Sequence, residues 1–208
     1  MIKRQRLRNC FMAKIKICGL RRTEDIEYVN ELKPDFVGFI LSPGFRRSID
    51  FDTFKSLRGN LSNDISAIGV FVNEPLESIE KFTDSGLIDF VQLHGGESPQ
   101  YAEQITLPVI RALKPCDFDK INEYKHCVDY LLFDSGTGTG KAFDWQKIPK
   151  TDMPFFLAGG LTTQNIPLAL AKYSPDVVDL SSSVETNGVK DFNKIKEVIN
   201  LVRSTTDE

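Results

Sequence analysis

Cys18, Asp134 and Asp179, together with the pair Arg46-Arg47, stand at or just past points where an apolar run gives way to a turn. A thiol that closes the run Lys14–Cys18 and precedes Gly19 reads as a proton acceptor, where a mid-strand cysteine would read as a small buried hydrophobe. Asp134 ends Leu131-Leu132-Phe133 and opens a glycine-rich loop. A carboxylate beside an apolar interior is expected to titrate above its ordinary value, as an acid catalyst requires. Arg46 is expected to be a solvated loop side chain, whereas one guanidinium of the pair can fork onto a carboxylate. Gly159-Gly160 and Ser181-Ser182-Ser183 follow the last two apolar runs. Bare backbone N–H groups, hydroxyls and a helix start favour an anion there, and phosphate is the expected one. His94 reads as a structural histidine hydrogen-bonded at a rim, and Phe143 and Trp145 as core or loop anchors. Cys116 and Cys127 receive no function.

The elements that must position these groups recur with a rhythm. Short β-branched or aromatic runs occupy Lys14–Cys18, Phe36–Ile40, Ser66–Phe71, Phe90–Leu93, Val109–Ala112, Tyr130–Asp134, Phe155–Ala158 and Val177–Leu180. Their starts lie roughly 20–30 residues apart, room for a strand, a loop and a helix. The segments between them read as amphipathic helices, with Ile26, Val29 and Leu32 on one face of the first. Pro75 marks one helix entry, and Thr162–Asn165 another before Ile166. Continuous apolar strands suit a parallel sheet buried on both faces. Eight strand–helix units predict a single-domain (β/α)8 TIM barrel at the short end of its size range. Gly19-Leu20-Arg21-Arg22 after the first strand is no dinucleotide fingerprint. The run Gly136 to Lys141 matches neither that fingerprint nor a phosphate-binding Walker loop. In such a barrel chemistry gathers at the strands' C-terminal ends, where all of the groups above fall.

Composition narrows the function classes. Twenty-six Lys and Arg against 29 Asp and Glu give a net charge of −3, which argues against a basic nucleic-acid-binding face. No run reaches the ~18–20 apolar residues of a membrane helix. Two His and four Cys without a C-x-x-C pair leave little scope for a metal site or a disulfide framework. Residues 1–12 carry Lys3, Arg4, Arg6 and Arg8 without a following apolar h-region, so a secretory signal is not expected. They read as an extension outside the domain, or as an early start with Met12 as the true one. A transit peptide or an anion-binding arm is the lesser alternative. The domain is taken as 13–208 and its compartment as the cytoplasm.

The motifs carry a family resemblance. Lys14-Ile15-Lys16-Ile17-Cys18-Gly19-Leu20, Gly69-Val70-Phe71-Val72-Asn73 and Val91-Gln92-Leu93-His94-Gly95 resemble, in order, blocks of the phosphoribosylanthranilate isomerases. So do Leu132-Phe133-Asp134, the stretch from Gly138 to Trp145, Leu157-Ala158-Gly159-Gly160-Leu161 and Val178-Asp179-Leu180-Ser181-Ser182. The resemblance implies a barrel that carries out an Amadori rearrangement in tryptophan synthesis with no metal and no cofactor. It implies Asp134 as the acid, Cys18 as the base, Arg47 as the holder of the anthranilate carboxylate and Asp179 as a substrate contact. Gly159, Gly160, Ser182 and Ser183 would hold the phosphate. The implied partner is a small-molecule substrate, with no nucleic acid and no membrane. The expected state is a monomer, with a homodimer as the alternative.

Three positions depart from the family pattern. Thr137 replaces a glycine after strand six, Ser183 replaces a glycine beside the phosphate turn, and Gly96 replaces an acidic residue after His94-Gly95. A serine at 183 still donates its N–H if its φ stays negative. Two relatives in chemistry stay in view: a histidine-pathway aminoaldose isomerase, expected to use two aspartates, and a ribulose-phosphate epimerase, expected to use several metal-ligating His. A catalytically silent barrel that binds a phosphorylated metabolite is the alternative from a different class.

Overall fold

The computed structural model describes residues 13–134 and 148–205. Residues 1–12, and the loop carrying Thr137, Phe143 and Trp145, lie outside the described residues. Eight parallel strands close into a barrel: β1 Lys14–Cys18, β2 Phe36–Ile40, β3 Ser66–Phe71, β4 Phe90–Leu93, β5 Val109–Leu113, β6 Tyr130–Phe133, β7 Phe155–Leu157 and β8 Val177–Leu180. Neighbours in sequence pair in order, and β8 returns to β1 with Lys16 opposite Asp179. The expected strands are all present. β5 runs one residue further and β6 and β7 stop one residue earlier, so Asp134 sits just past its strand.

The helices are α1 Thr23–Leu32, α2 Phe51–Gly59, α3 Leu76–Thr83, α4 Pro99–Ala102, α5 Ile121–Tyr124, α6 Ile166–Tyr173 and α7 Phe192–Thr205. On α1, Ile26 and Val29 are buried as the spacing predicts, while Leu32 is only partly covered. Pro75 and Asn165 cap α3 and α6 at the entries read from sequence.

Alternation along each strand makes two cores. Outward residues such as Ile15, Ile17, Val37 and Leu131 pack under the helices. Inward residues fill the barrel, and near its N-terminal end they are aromatic. Phe36, Phe90, Tyr130 and Phe156 meet edge-on or tilted at 5.5–6.2 Å between ring centroids. The N-terminal end is also cross-linked by a repeated device. Asp35, Asp89, Asp129 and Asp176 directly precede β2, β4, β6 and β8. Their carboxylates accept from the backbone N–H of Ile15, Ala67, Val109 and Phe155 at 2.7–2.9 Å. Each aspartate also donates its own N–H to the carbonyl of that same residue, so the four alternate pairs β1–β2, β3–β4, β5–β6 and β7–β8 are each tied twice.

A small hairpin follows β8. A 3-10 turn, Ser182–Val184, leads into β9 Glu185–Thr186, which pairs antiparallel with β10 Val189–Lys190. Asn187 (φ 53°) and Gly188 (φ 79°) make a connection whose twist matches that of a two-residue hairpin.

Deleting residues 1–11 is expected to leave the melting temperature and any turnover essentially unchanged. The ladder begins at Lys14, whose N–H is already bonded to the Asp176 carbonyl at 2.9 Å. A thermal melt beside an activity assay checks this; a large drop in either shows that the extension packs on the barrel.

Candidate active site

A cavity of about 570 Å³ opens at the C-terminal mouth of the barrel. Cys18, Arg47, Asp134, Gly159, Gly160, Asp179, Ser182 and Ser183 all line it. The site residues expected from sequence are thus brought together in one place.

Cys18 ends β1 with its side chain inward, beside Lys16 two residues earlier on the same face. Lys16 is wholly buried, and its ammonium donates to Asp179 Oδ2 at 2.8 Å and to Gln92 Oε1 at 2.9 Å. Gly38 on β2 makes the room. A Cβ there would stand 2.7 Å from Cys18 Sγ and 3.1 Å from Lys16 Cε. Burial pushes the Cys18 thiol above its ordinary value; the Lys16 charge pulls it back, Asp179 adds to the rise, and the balance stays upward. For Lys16 burial works against the ammonium, but Asp179 and Cys18 outweigh it and the group is held charged. Asp179 lines the cavity, and its Oδ1 is buried without a hydrogen-bond partner among the described residues.

Arg47 is placed by the hairpin. Its Nε and Nη2 donate to the two oxygens of Glu185 at 2.6 and 2.9 Å, leaving Nη1 donors for a ligand. Gly19 (φ +83°) provides the seat, since a Cβ there would come within 2.5 Å of Arg47 Cδ. Arg46 is half-exposed, as expected for a loop cation, yet it too reaches Glu185 at 2.8 Å. Lys190, buried opposite Glu185 on the hairpin, adds a third cation at 2.9 Å. Burial alone would raise the Glu185 carboxyl, but hydrogen bonds and charge from Arg47, Lys190 and Arg46 hold it at about 2, below its ordinary 4.5. A depressed carboxyl contributes stability that is fully present above its unfolded value and lost as pH falls through its folded one. The wild-type protein should therefore lose melting temperature between about pH 4.5 and 2, and Glu185→Gln should flatten that slope. Parallel slopes in the two proteins would show that the cluster is not linked to folding.

Of the apolar run before Asp134, Leu132 faces into the barrel. Leu131 and Phe133 point outward under the helices, while the Asp134 carboxylate turns to the mouth. There its Oδ2 lies 3.2 Å from His94 Nε2, and its side chain is 23% exposed. His94 is hydrogen-bonded at the rim as expected, but its partners are Gln92 and the expected acid itself.

The turns at Gly159-Gly160 and Ser182-Ser183 complete the mouth. Gly159 and Gly160 both take left-handed backbone (φ 80° and 69°), which only glycine adopts without strain. Asn165 steadies this turn by donating to the Gly160 carbonyl and accepting from Thr162 N–H. Ser183 stays out of the left-handed region, the condition set for its N–H to point as a donor.

Lys16, Gln92, Glu185 and Lys190 were not singled out by sequence reasoning. For Lys16 a signal existed: a lysine two residues before Cys18 must share its inward face. Asn187-Gly188 likewise marks the hairpin that carries Glu185 and Lys190.

The model of the N-(5′-phosphoribosyl)anthranilate isomerase family matches residues 15–201. The isomerase of that name from Endomicrobium trichonymphae is 46% identical over 202 residues, covering 93% of this chain and all of the relative. The crystal structure of the phosphoribosyl anthranilate isomerase from Thermotoga maritima superposes with a TM-score of 0.82 at 30% identity, covering 93% of this chain and all of that one. A structure of such an isomerase in complex with reduced 1-(o-carboxyphenylamino)-1-deoxyribulose 5-phosphate superposes at 0.80 with 29% identity, over 93% of this chain and all of that one. With a closed eight-stranded barrel, a shared cavity and a family match across nearly its whole length, the chain belongs to the N-(5′-phosphoribosyl)anthranilate isomerase family.

Proposed function

We propose that the protein converts N-(5-phosphoribosyl)anthranilate into 1-(2-carboxyphenylamino)-1-deoxyribulose 5-phosphate, a step of tryptophan synthesis, with Asp134 as acid and Cys18 as base. The observation that carries this reading is the convergence on one cavity of a thiol, a carboxyl group, a guanidinium and two turns built of glycine and serine. Asp134 gives its proton to the ribose ring oxygen, the C1–O bond breaks, and the anilino nitrogen's lone pair forms the C1=N bond of a protonated Schiff base. Cys18, as thiolate, takes the C2 proton. The C2–H electron pair becomes C1=C2 and the C=N pair returns to nitrogen, giving an enolamine. A proton gained at C1 and one lost from the C2 hydroxyl then give the ketone. Asp179 Oδ1 would accept a hydrogen bond from the substrate, and Gly159, Gly160, Ser182 and Ser183 would hold its phosphate.

Among the described residues no helix is long and apolar enough to cross a membrane. Phe45 and Leu168 are the large apolar side chains exposed there. A monomer acting in the cytoplasm is the state this reading expects, and sedimentation tests it. The activity is tested by adding purified protein to freshly made phosphoribosylanthranilate and following anthranilate fluorescence. Its loss with first-order kinetics in enzyme is expected; an unchanged signal with retained sugar-phosphate binding would favour a silent barrel.

Arg47→Ala is expected to raise KM with little change in kcat, because a carboxylate clamp acts on ground state and transition state alike. A charge-assisted pair of this kind contributes about 1.5–3 kcal/mol. Arg46→Ala, on a side chain 54% exposed, should do much less. A reversal of the two effects moves the clamp to Arg46.

A further inference from the structure

Five polar side chains form one hydrogen-bonded chain across the barrel interior, from β8 to the end of β6. Lys16 Nζ joins Asp179 Oδ2 at 2.8 Å and Gln92 Oε1 at 2.9 Å. Gln92 Nε2 lies 2.8 Å from His94 Nδ1, and His94 Nε2 lies 3.2 Å from Asp134 Oδ2. Its direction is forced. An ammonium only donates, so it faces the amide oxygen of Gln92; the amide nitrogen only donates, so His94 Nδ1 must accept. The ring proton is thereby placed on Nε2, which donates to Asp134. Turning the amide over would set its NH2 against the Lys16 ammonium inside a closed barrel, where such a clash has no water to relieve it.

We propose that His94 is a positioning residue for the acid: Lys16 and Gln92 impose its Nε2–H tautomer, and that N–H holds Asp134 and meets the carboxylate that forms as the acid's proton leaves. The inference rests on the isomerase reading above. A hydrogen bond to an ionised acceptor is roughly twice as strong as one to a neutral acceptor. The contact therefore strengthens along the ring-opening step, and an interaction stronger in the transition state raises kcat rather than lowering KM. Nothing in this role requires His94 to exchange a proton with the substrate.

The tautomer is read directly by ¹⁵N NMR of the imidazole nitrogens at neutral pH. The chain has 2 His, so His126→Gln leaves His94 as the single histidine signal. The wild-type pattern should be Nε2–H. Gln92→Glu offers an acceptor to both neighbours, so it should move a proton onto His94 Nδ1 and lower kcat. His94→Ala and Gln92→Leu should lower kcat roughly tenfold to a hundredfold with KM changed about twofold or less. His94→Gln, whose amide nitrogen can stand near the Nε2 position, should recover part of the loss. An Nδ1–H tautomer in the active wild-type protein overturns the inference. So does a Gln92→Glu protein with unchanged tautomer and unchanged kcat, or a His94→Ala defect confined to KM. Absence of turnover in the wild-type protein instead defeats the isomerase reading, while the wild-type spectrum still decides the direction of the chain.

Discussion

Cys18→Ala and Asp134→Ala should each lower kcat by roughly 10²–10⁴-fold, the usual span for a general base or acid, while the protein folds and still binds a sugar phosphate. Folding is expected to survive because Cys18→Ala removes one small atom from a site already walled by Gly38 and Lys16, and Asp134 sits beyond the end of its strand. Binding is expected to survive because the anion turns at 159–160 and 182–183 belong to other strands; calorimetric titration with a product analogue checks it. The thiol carries a further signature in pH. Burial, helped by Asp179 and opposed by Lys16 and Lys190, leaves it above its ordinary 9.0. Thiolate therefore accumulates only as pH climbs through that raised value, and kcat/KM should still be rising above pH 9 on a limb that Cys18→Ala abolishes. Alkylation of Cys18 should stop turnover, and bound product should protect it. The chain has three other cysteines, so this experiment is run on a protein carrying Cys10→Ser, Cys116→Ser and Cys127→Ser. Near-wild-type kcat in Cys18→Ala would falsify the assignment of the base.

Much of this was legible in the sequence, and for a physical reason. In a parallel barrel each strand is buried on both faces, so it reads as a short continuous apolar run. Each run must end at the mouth, so Cys18, Asp134, Asp179 and the two anion turns could be placed there by position alone. Strand ends shifted by a residue because the last ladder bond depends on the neighbour's register, which no local pattern encodes. What stands beside Asp134 is illegible for a related reason. Leu131 and Phe133 face outward and Leu132 inward, and the His94 imidazole beside its carboxylate comes from β4, 40 residues away. Glu185 behaves likewise: its role depends on Arg47, 138 residues distant. Two further features are legible in the sequence. An aspartate directly precedes every even-numbered strand of the barrel, which is the clamp at its N-terminal end, and Asn187-Gly188 is a strong hairpin signal.

Lys16→Met should be the most destabilising single change in the barrel interior. The ammonium is wholly buried, and its partner Asp179 has a side-chain exposure of 8%. Met fills nearly the same volume, so the cost does not come from a cavity. It comes from leaving a carboxylate buried with neither oxygen partnered, since Asp179 Oδ1 already lacks a donor among the described residues. Removing one member of a buried pair costs about 3–5 kcal/mol, which for a chain of this size is a fall in Tm of roughly 6–20 °C. Replacing both, as Lys16→Met with Asp179→Leu, should recover a large part of that loss, because the remaining charge is gone. A double-mutant cycle in denaturant isolates the coupling from the packing. The same change removes the main charge opposing burial of the Cys18 thiol, so the surviving protein should show its alkaline limb displaced further upward. Two effects with one cause should therefore appear together: a lower Tm and a later limb. A Lys16→Met protein that loses under about 1 kcal/mol while its limb stays in place shows that solvent reaches the pair and that the charge beside Cys18 is screened.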